Sequence, residues 1–204
     1  MKRGVFIAFE GGEGAGKDTQ IELLKARPEL ADAVFTREPG GTEAGNEIRA
    51  LLLKEHTPAL DAQTELLLFL SARAELMNQT IRPALRAGKT VISNRFGLST
   101  YAYQIYGRER PELLPLLKDL SARVVGEDSP HYVLLDVSPE SGKKRVEARG
   151  AMTHFDAASV AFHTRVRDGY FKHLHDGAPS RVVSAEQPIE TVAEDVWKAV
   201  SSWL

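Results

Sequence analysis

Five short apolar runs alternate with longer amphipathic stretches along the chain. The runs are Val5–Phe9, Ala33–Thr36, Thr90–Ser93, Tyr132–Val137 and Arg181–Ser184. VFIAF and YVLLDV are apolar almost without a break, as expected for strands covered on both faces in a parallel sheet. Between the runs, apolar residues recur every three or four positions. That spacing predicts helices over Lys17–Lys25, Glu43–Lys54, Gln63–Ala87, Leu113–Ala122, Pro139–Arg149, Ser159–His175 and Ile189–Trp203. Pro83 should bend the long one. Strands alternating with helices imply right-handed crossovers. The expected fold is therefore α/β in three layers, a central parallel sheet of about five strands with helices on both sides. With 204 residues and no linker or low-complexity tract, one domain over 1–204 is expected.

Ligands of such sheets sit beyond the carboxyl ends of the strands. The unusual polar clusters fall there, at 10–20, 36–42, 93–100 and Asp136. The first, EGGEGAGKDTQ, follows G-x-x-x-x-G-K-[ST] up to its last slot, where Asp18 replaces the hydroxyl. After a buried strand, Gly11, Gly14 and Gly16 let the backbone curl so that several N–H groups point inward. The helix that follows adds its partial positive charge, and Lys17 can reach the β- and γ-phosphates. Strand, spacing, lysine and helix all favour a phosphate loop over an ordinary glycine-rich turn. The nucleoside triphosphate site is accordingly assigned to Gly11, Gly12, Gly14, Ala15, Gly16, Lys17, Asp18 and Thr19.

A formal net charge of −2 argues against a general nucleic-acid coat or a basic membrane-surface protein. The chain has no cysteine, which excludes disulfides, thiolate metal sites and cysteine nucleophiles. No apolar run approaches the roughly 18 residues of a membrane span. The basic start and short apolar run at the N-terminus read as a first strand rather than a signal peptide, so a cytoplasmic location is expected. The histidines carry no metal signature. His173 and His175 are two apart on a helix and diverge, and each is expected to be satisfied or exposed.

The segments FIAFEGGEGAGKDTQ, FTREPGGT, LLLFLSARAE, IRPALRAGKTVISNRFGLSTYAYQ, YVLLDVSPESGKKRVEARG and FHTRVRDGY resemble, in order and spacing, those of the thymidylate kinase family. FTREPGGT and LST-x-AYQ are more specific than the phosphate loop. The resemblance implies Mg²⁺-dependent transfer of the γ-phosphoryl group of ATP to thymidine monophosphate. It implies that Arg37 and Arg95 hold the acceptor phosphate. Phe69 would stack on thymine, and Arg73 would reach its O4. Thr100 and Gln104 would meet the polar edge of the base. Tyr103 would crowd the 2′ position of the sugar, and Glu13 would hold a sugar hydroxyl. Taken alone, Phe69 in LLLFL reads as a core aromatic, and each arginine as a surface ion pair. Lys17, Arg95, Arg149 and Glu13 are the expected catalytic groups. The family's usual homodimer would use the apolar helix near 63–80. Kinases of another pyrimidine monophosphate, such as dUMP or a 5-modified dUMP, share the pattern, and so would a nucleotide sensor with little turnover.

Three departures stand out. Asp18 occupies the slot of a hydroxyl that ligates Mg²⁺. Asn94 replaces the aspartate expected in the Asp-Arg-aromatic motif. In the lid, expected over 149–157, Thr153–His154 replaces an acid and an arginine, which leaves Arg149 as the donor-side cation. One carboxylate has gained a place and another has lost one, both beside the metal and the phosphates. Compensation is the expected relation, with Asp18 as the metal ligand.

Overall fold

The computed structural model describes residues 3–150, 153 and 155–204. β1 (Phe6–Glu10), β2 (Val34–Arg37), β3 (Val91–Asn94), β4 (His131–Asp136) and β5 (Ser180–Ser184) form one sheet in the order β2-β3-β1-β4-β5. All neighbours pair in parallel. Between them run α1 (Lys17–Lys25), α2 (Glu43–Leu53), α3 (Ala62–Leu76), α4 (Arg82–Arg86), α5 (Gly97–Thr100), α6 (Leu114–Val125), α7 (Pro139–Arg149) and α8 (Val160–His173), and α9 (Ile189–Ser201) follows β5.

β1 shows why the strands read as continuous apolar runs. Phe6 and Ala8 enter a core with Leu76, Ile81, Val166 and Tyr170, from the helices on one face. Ile7 and Phe9 enter a second core with Ile21 and Leu24 of α1 and Val192 and Val196 of α9. A third cluster joins Leu66 and Leu70 of α3 to Leu117 of α6. Burying a side chain such as Phe9 contributes about 2–3 kcal/mol, so the two-faced strand holds the layers together. Strand order changes direction at β1, with β3 on one side and β4 on the other. The crevice at such a switch point is where ligands bind. In the register Phe9 faces Asn94, which brings the loops after β1 and β3 to that crevice side by side.

Helix ends follow local chemistry. α7 starts at a Ser138 cap whose side chain accepts from Ser141 N, with a proline in its first turn, and ends at left-handed Gly150. Thr42 caps α2 by accepting from Gly45 N. The long helix predicted over Gln63–Ala87 is not continuous. α3 passes through a π-helical turn at Met77–Ile81 into α4. Pro83 explains the slip, because it lacks an N–H and its ring crowds the carbonyl four residues back. A helical stretch not foreseen follows β3: α5 continues as a wide turn over Tyr101–Gly107. Among the described residues, no helix is long and apolar enough to cross a membrane.

Candidate active site

β1 delivers the chain into the glycine loop. Gly14 has φ +72, and a Cβ there would lie 2.2 Å from the carbonyl oxygen of Gly142 in α7. A Cβ on Gly142 would in turn lie 2.4 Å from the Glu13 carbonyl oxygen. The loop and α7 thus touch backbone to backbone. Left-handed Gly16 opens α1 without any side-chain cap, which leaves the first N–H groups for an anion. Lys17 Nζ donates to the carbonyls of Gly11 (2.9 Å) and Gly12 (2.8 Å).

Burial, reinforced by the Arg95 charge, lowers the Lys17 pKa to about 7. A bound polyphosphate raises it again. Below pH 7 the lysine is charged in both states and affinity is flat; above pH 7 binding must take up a proton, so affinity falls as pH rises. Calorimetry of ATP binding at pH 8, in two buffers of different ionisation enthalpy, should register uptake of about one proton. Lys17→Arg should abolish the uptake, and a parent protein that takes up none contradicts the assignment.

Asp18, in the first turn of α1, meets Asn94 at the end of β3. Asn94 Nδ2 donates to Asp18 Oδ1 at 2.7 Å. The Asn94 Oδ1 atom is buried without a partner. Two of the three departures noted in the sequence therefore meet in one contact.

Arg95 follows at once, held at φ +69, which is rare for a side chain of its size. Its Nη1 donates to Gly11 O (3.0 Å), Ser99 Oγ (3.0 Å) and Tyr170 Oη (2.8 Å). Its Nη2 donates to Glu13 Oε1 (2.6 Å) and Tyr103 Oη (3.1 Å). Burial opposes the Glu13 charge, but Arg95 and Lys17 outweigh it and bring its pKa down to about 2. Fully buried Glu10 fixes the turn from below, accepting from Phe96 N (2.9 Å) and Ser99 Oγ (2.6 Å). Tyr170, for which the sequence suggested no role, donates to Gly11 O at 3.2 Å and so ties α8 to the loop. Removing its hydroxyl, as Tyr170→Phe, should lower kcat about tenfold, the equivalent of a hydrogen bond to a charged group. An unchanged kcat means that Arg95 does not depend on this contact.

Arg37, at the end of β2, is exposed, and Arg49 reaches in from α2, donating to Pro39 O at 3.0 Å. Burial and then the charges of Arg37 and Arg95 lower the Arg49 pKa. Guanidinium groups gathered around Arg49 in this way suit an anion between them. Arg49 was not foreseen from the sequence.

Beyond them, Arg73 is 1% exposed and makes a two-pronged ion pair with Glu38, at 2.7 Å from Nη2 and 3.0 Å from Nε. Nη2 also donates to Thr100 Oγ1 at 2.8 Å, and the guanidinium lies 4.9 Å from the Phe96 ring centre. Phe69 packs against the core and also lines the cavity. Gln104 is 1% exposed.

A single cavity of about 770 Å³ joins these parts. Every site residue expected from the sequence lines it except Gly11 and Gly12, which contribute the carbonyls that receive Lys17. On the lid side, Arg149 lines the cavity with Nη2 3.4 Å from Asp156 Oδ1, and Arg145 Nη1 is 3.4 Å from Gly14 O. Thr153 donates from N (2.7 Å) and Oγ1 (2.8 Å) to Asp156. His154 lies outside the described residues. Asp136 sits at a strand end as expected, but a two-pronged pair with Arg167 (2.7 and 2.9 Å) draws it away from the main cavity. His173 is satisfied by Tyr106 and Asp176.

Comparisons with known proteins identify the family. The family model described as thymidylate kinase matches residues 9–196. Thymidylate kinase from Deinococcus radiodurans is 40% identical, over 98% of each chain. That from Nitrobacter hamburgensis is 42% identical, over 98% of this chain and 89% of its own. The crystal structure of thymidylate kinase from Ehrlichia chaffeensis superposes with a TM-score of 0.76 at 31% identity, covering 97% of this chain and 99% of that one. Family model, relatives and fold agree, and the chain belongs to the thymidylate kinase family.

Proposed function

We propose that this cavity transfers the γ-phosphoryl group of ATP to thymidine monophosphate, giving thymidine diphosphate and ADP. The observation that carries the reading is the cluster of Arg37, Arg49 and Arg95 between the glycine loop and the Arg73 end, within one cavity. Two anionic nucleotides meeting end to end need positive charge where the phosphates converge.

The roles follow from position. Gly11, Gly12, Gly14, Ala15, Gly16, Lys17, Asp18 and Thr19 hold the ATP phosphates, Lys17 turning from its own loop carbonyls to the β- and γ-oxygens. Arg37, Arg49 and Arg95 hold the acceptor phosphate. A phosphate monoester loses its second proton with a pKa near 6, so its oxygen attacks without a general base. The new bond joins that oxygen to the γ-phosphorus, the bond to the β-phosphate oxygen breaks, and no proton need move. Arg95 and Arg149 offset the charge that develops on the transferring group. Phe69, Arg73, Thr100 and Gln104 hold the base, with Tyr103 and Glu13 at the sugar. Residues 149–157, of which 151, 152 and 154 lie outside the described residues, would serve as the lid that excludes water.

The donor set suits Mg²⁺. This ion takes one or two protein oxygens and completes its shell with water and phosphate. Asp18, exposed in the first turn of α1, is such a hard oxygen donor. Among the described residues, no cluster of three or more His, Cys, Asp or Glu could hold a metal by itself. When bound, the ion would neutralise charge on the β- and γ-phosphates.

Residues 1–204 act as one cytoplasmic kinase unit, paired as a homodimer. Leu51 of α2 and Leu67 of α3, exposed at 42% and 40%, support a contact through these two helices. A coupled assay of ADP formation with dTMP, dUMP and dCMP, with and without Mg²⁺, tests the whole reading. Mg²⁺-dependent turnover with dTMP preferred is the expected outcome; ATP binding without turnover on any acceptor contradicts it.

A further inference from the structure

Two carboxylates lie behind the acceptor slot, and neither touches the phosphate machinery. Arg73 lines the cavity, and Glu38 occupies its Nε and Nη2, which leaves Nη1 buried and without a partner. A pair that served packing alone has no need of an unsatisfied donor there. Glu65 is 3% exposed and lies behind Gln104, its Oε2 3.4 Å from Gln104 Nε2. Arg108 holds Glu65 with two bonds, at 2.7 and 3.2 Å. The contact to Gln104 is long, but a carboxylate paired with an arginine presents only acceptors. The amide end turned towards it must therefore be the NH₂. That leaves the Gln104 carbonyl oxygen for the cavity, whose wall Gln104 forms.

We propose that Glu38 and Glu65 are positioning residues that set the hydrogen-bonding polarity of the base slot. Glu38 leaves Arg73 with a donor facing the base, and Glu65 leaves Gln104 with an acceptor. A pyrimidine with a C4 carbonyl and an N3–H matches donor beside acceptor. A 4-aminopyrimidine presents the reverse pattern, an amine at C4 and a bare N3, and is refused at both positions. Unpaired polar groups in a closed slot discriminate far more strongly than differences in shape. The inference rests on placing the acceptor base beside Arg73 and Gln104.

The experiment measures kcat/KM for dTMP, dUMP and dCMP with the parent protein, Glu65→Gln, Glu38→Gln and Arg73→Ala, together with the ATP KM and melting temperature of each. A glutamine at 65 can either donate or accept, so Gln104 is free to turn over. The dTMP/dCMP ratio should then fall about tenfold or more, the worth of one hydrogen bond to a charged group. The dTMP/dUMP ratio should hold within about twofold, because dUMP shares the same polar edge. Glu38→Gln should raise the dTMP KM about tenfold, with the ATP KM unchanged and the dTMP/dCMP ratio again reduced. If both ratios hold in both variants, whatever happens to the melting temperature, the carboxylates only support packing and the proposal is wrong. If Glu38→Gln does not fold, the ratios of Glu65→Gln decide alone. If Arg73→Ala leaves the acceptor KM unchanged, the base lies elsewhere; that result overturns the placement of the base, and the proposal with it.

Discussion

Arg95→Lys is expected to lower kcat by about a hundred- to a thousandfold, with the ATP KM changed far less. Lysine keeps the positive charge but loses the planar fork. The guanidinium reaches five partners at once: Gly11, Ser99 and Tyr170 through Nη1, and Glu13 and Tyr103 through Nη2. A single ammonium group cannot span them. Burial works against the charge, yet Glu13 outweighs it and holds the Arg95 pKa well above its ordinary value. The charge is therefore fixed in advance, and no reorganisation is required when the phosphoryl group moves. Steady-state kinetics with saturating dTMP provide the measurement. A fall smaller than tenfold, alongside an unchanged melting temperature, removes Arg95 from the chemistry.

Asn94→Asp is the second large effect, an expected loss of about a hundredfold in kcat/KM for ATP. The change sets two carboxylates where an amide now donates to Asp18 at 2.7 Å. Near 4 Å and an effective dielectric of about 20, two unit charges interact by roughly 4 kcal/mol. The contact is open to solvent, and screening brings this to about 3 kcal/mol, close to two decades in rate. The added charge also faces the incoming phosphates. Raising Mg²⁺ should recover part of the loss, and an unchanged kcat/KM at low Mg²⁺ contradicts the argument.

The layers were legible because each strand carries its own apolar run and several helices carry their own signals. Gly16 opens α1, while Ser138, Pro139 and Gly150 bound α7, and both helices begin and end where expected. The stretch at 97–107 was not legible. LSTYAYQIYG mixes hydroxyls, tyrosines and a glycine without a clean period. Its helical state depends on packing against α8, where a Cβ on Gly107 would meet Phe162 at 2.8 Å and one on Gly169 would meet Tyr106 at 2.9 Å. Such fit is tertiary and leaves no local trace.

The site divides in the same way. Lys17, Arg37 and Arg95 stand in short patterns at strand ends, and Phe69, Arg73, Thr100, Tyr103 and Gln104 were recognisable only through the family's segments. The groups that hold them do not cluster in sequence. Glu38 reaches Arg73 across 35 positions, Glu65 reaches Arg108 across 43, and Tyr170 reaches Gly11 across 159. Asp18 and Asn94 could be paired on paper only as two departures of opposite sign. Their direct contact gives that pairing a physical basis.

The most direct measurement is therefore the double change, Asp18→Thr with Asn94→Asp, assayed beside each single change at limiting Mg²⁺. The carboxylate then moves across the contact from position 18 to position 94, a hydroxyl replaces it at 18, and the local charge is that of the parent. If the two residues work as one metal-side unit, the double variant recovers to within about tenfold of the parent and exceeds both singles, a coupling of at least about 1.4 kcal/mol. A double variant no more active than the worse single contradicts the account.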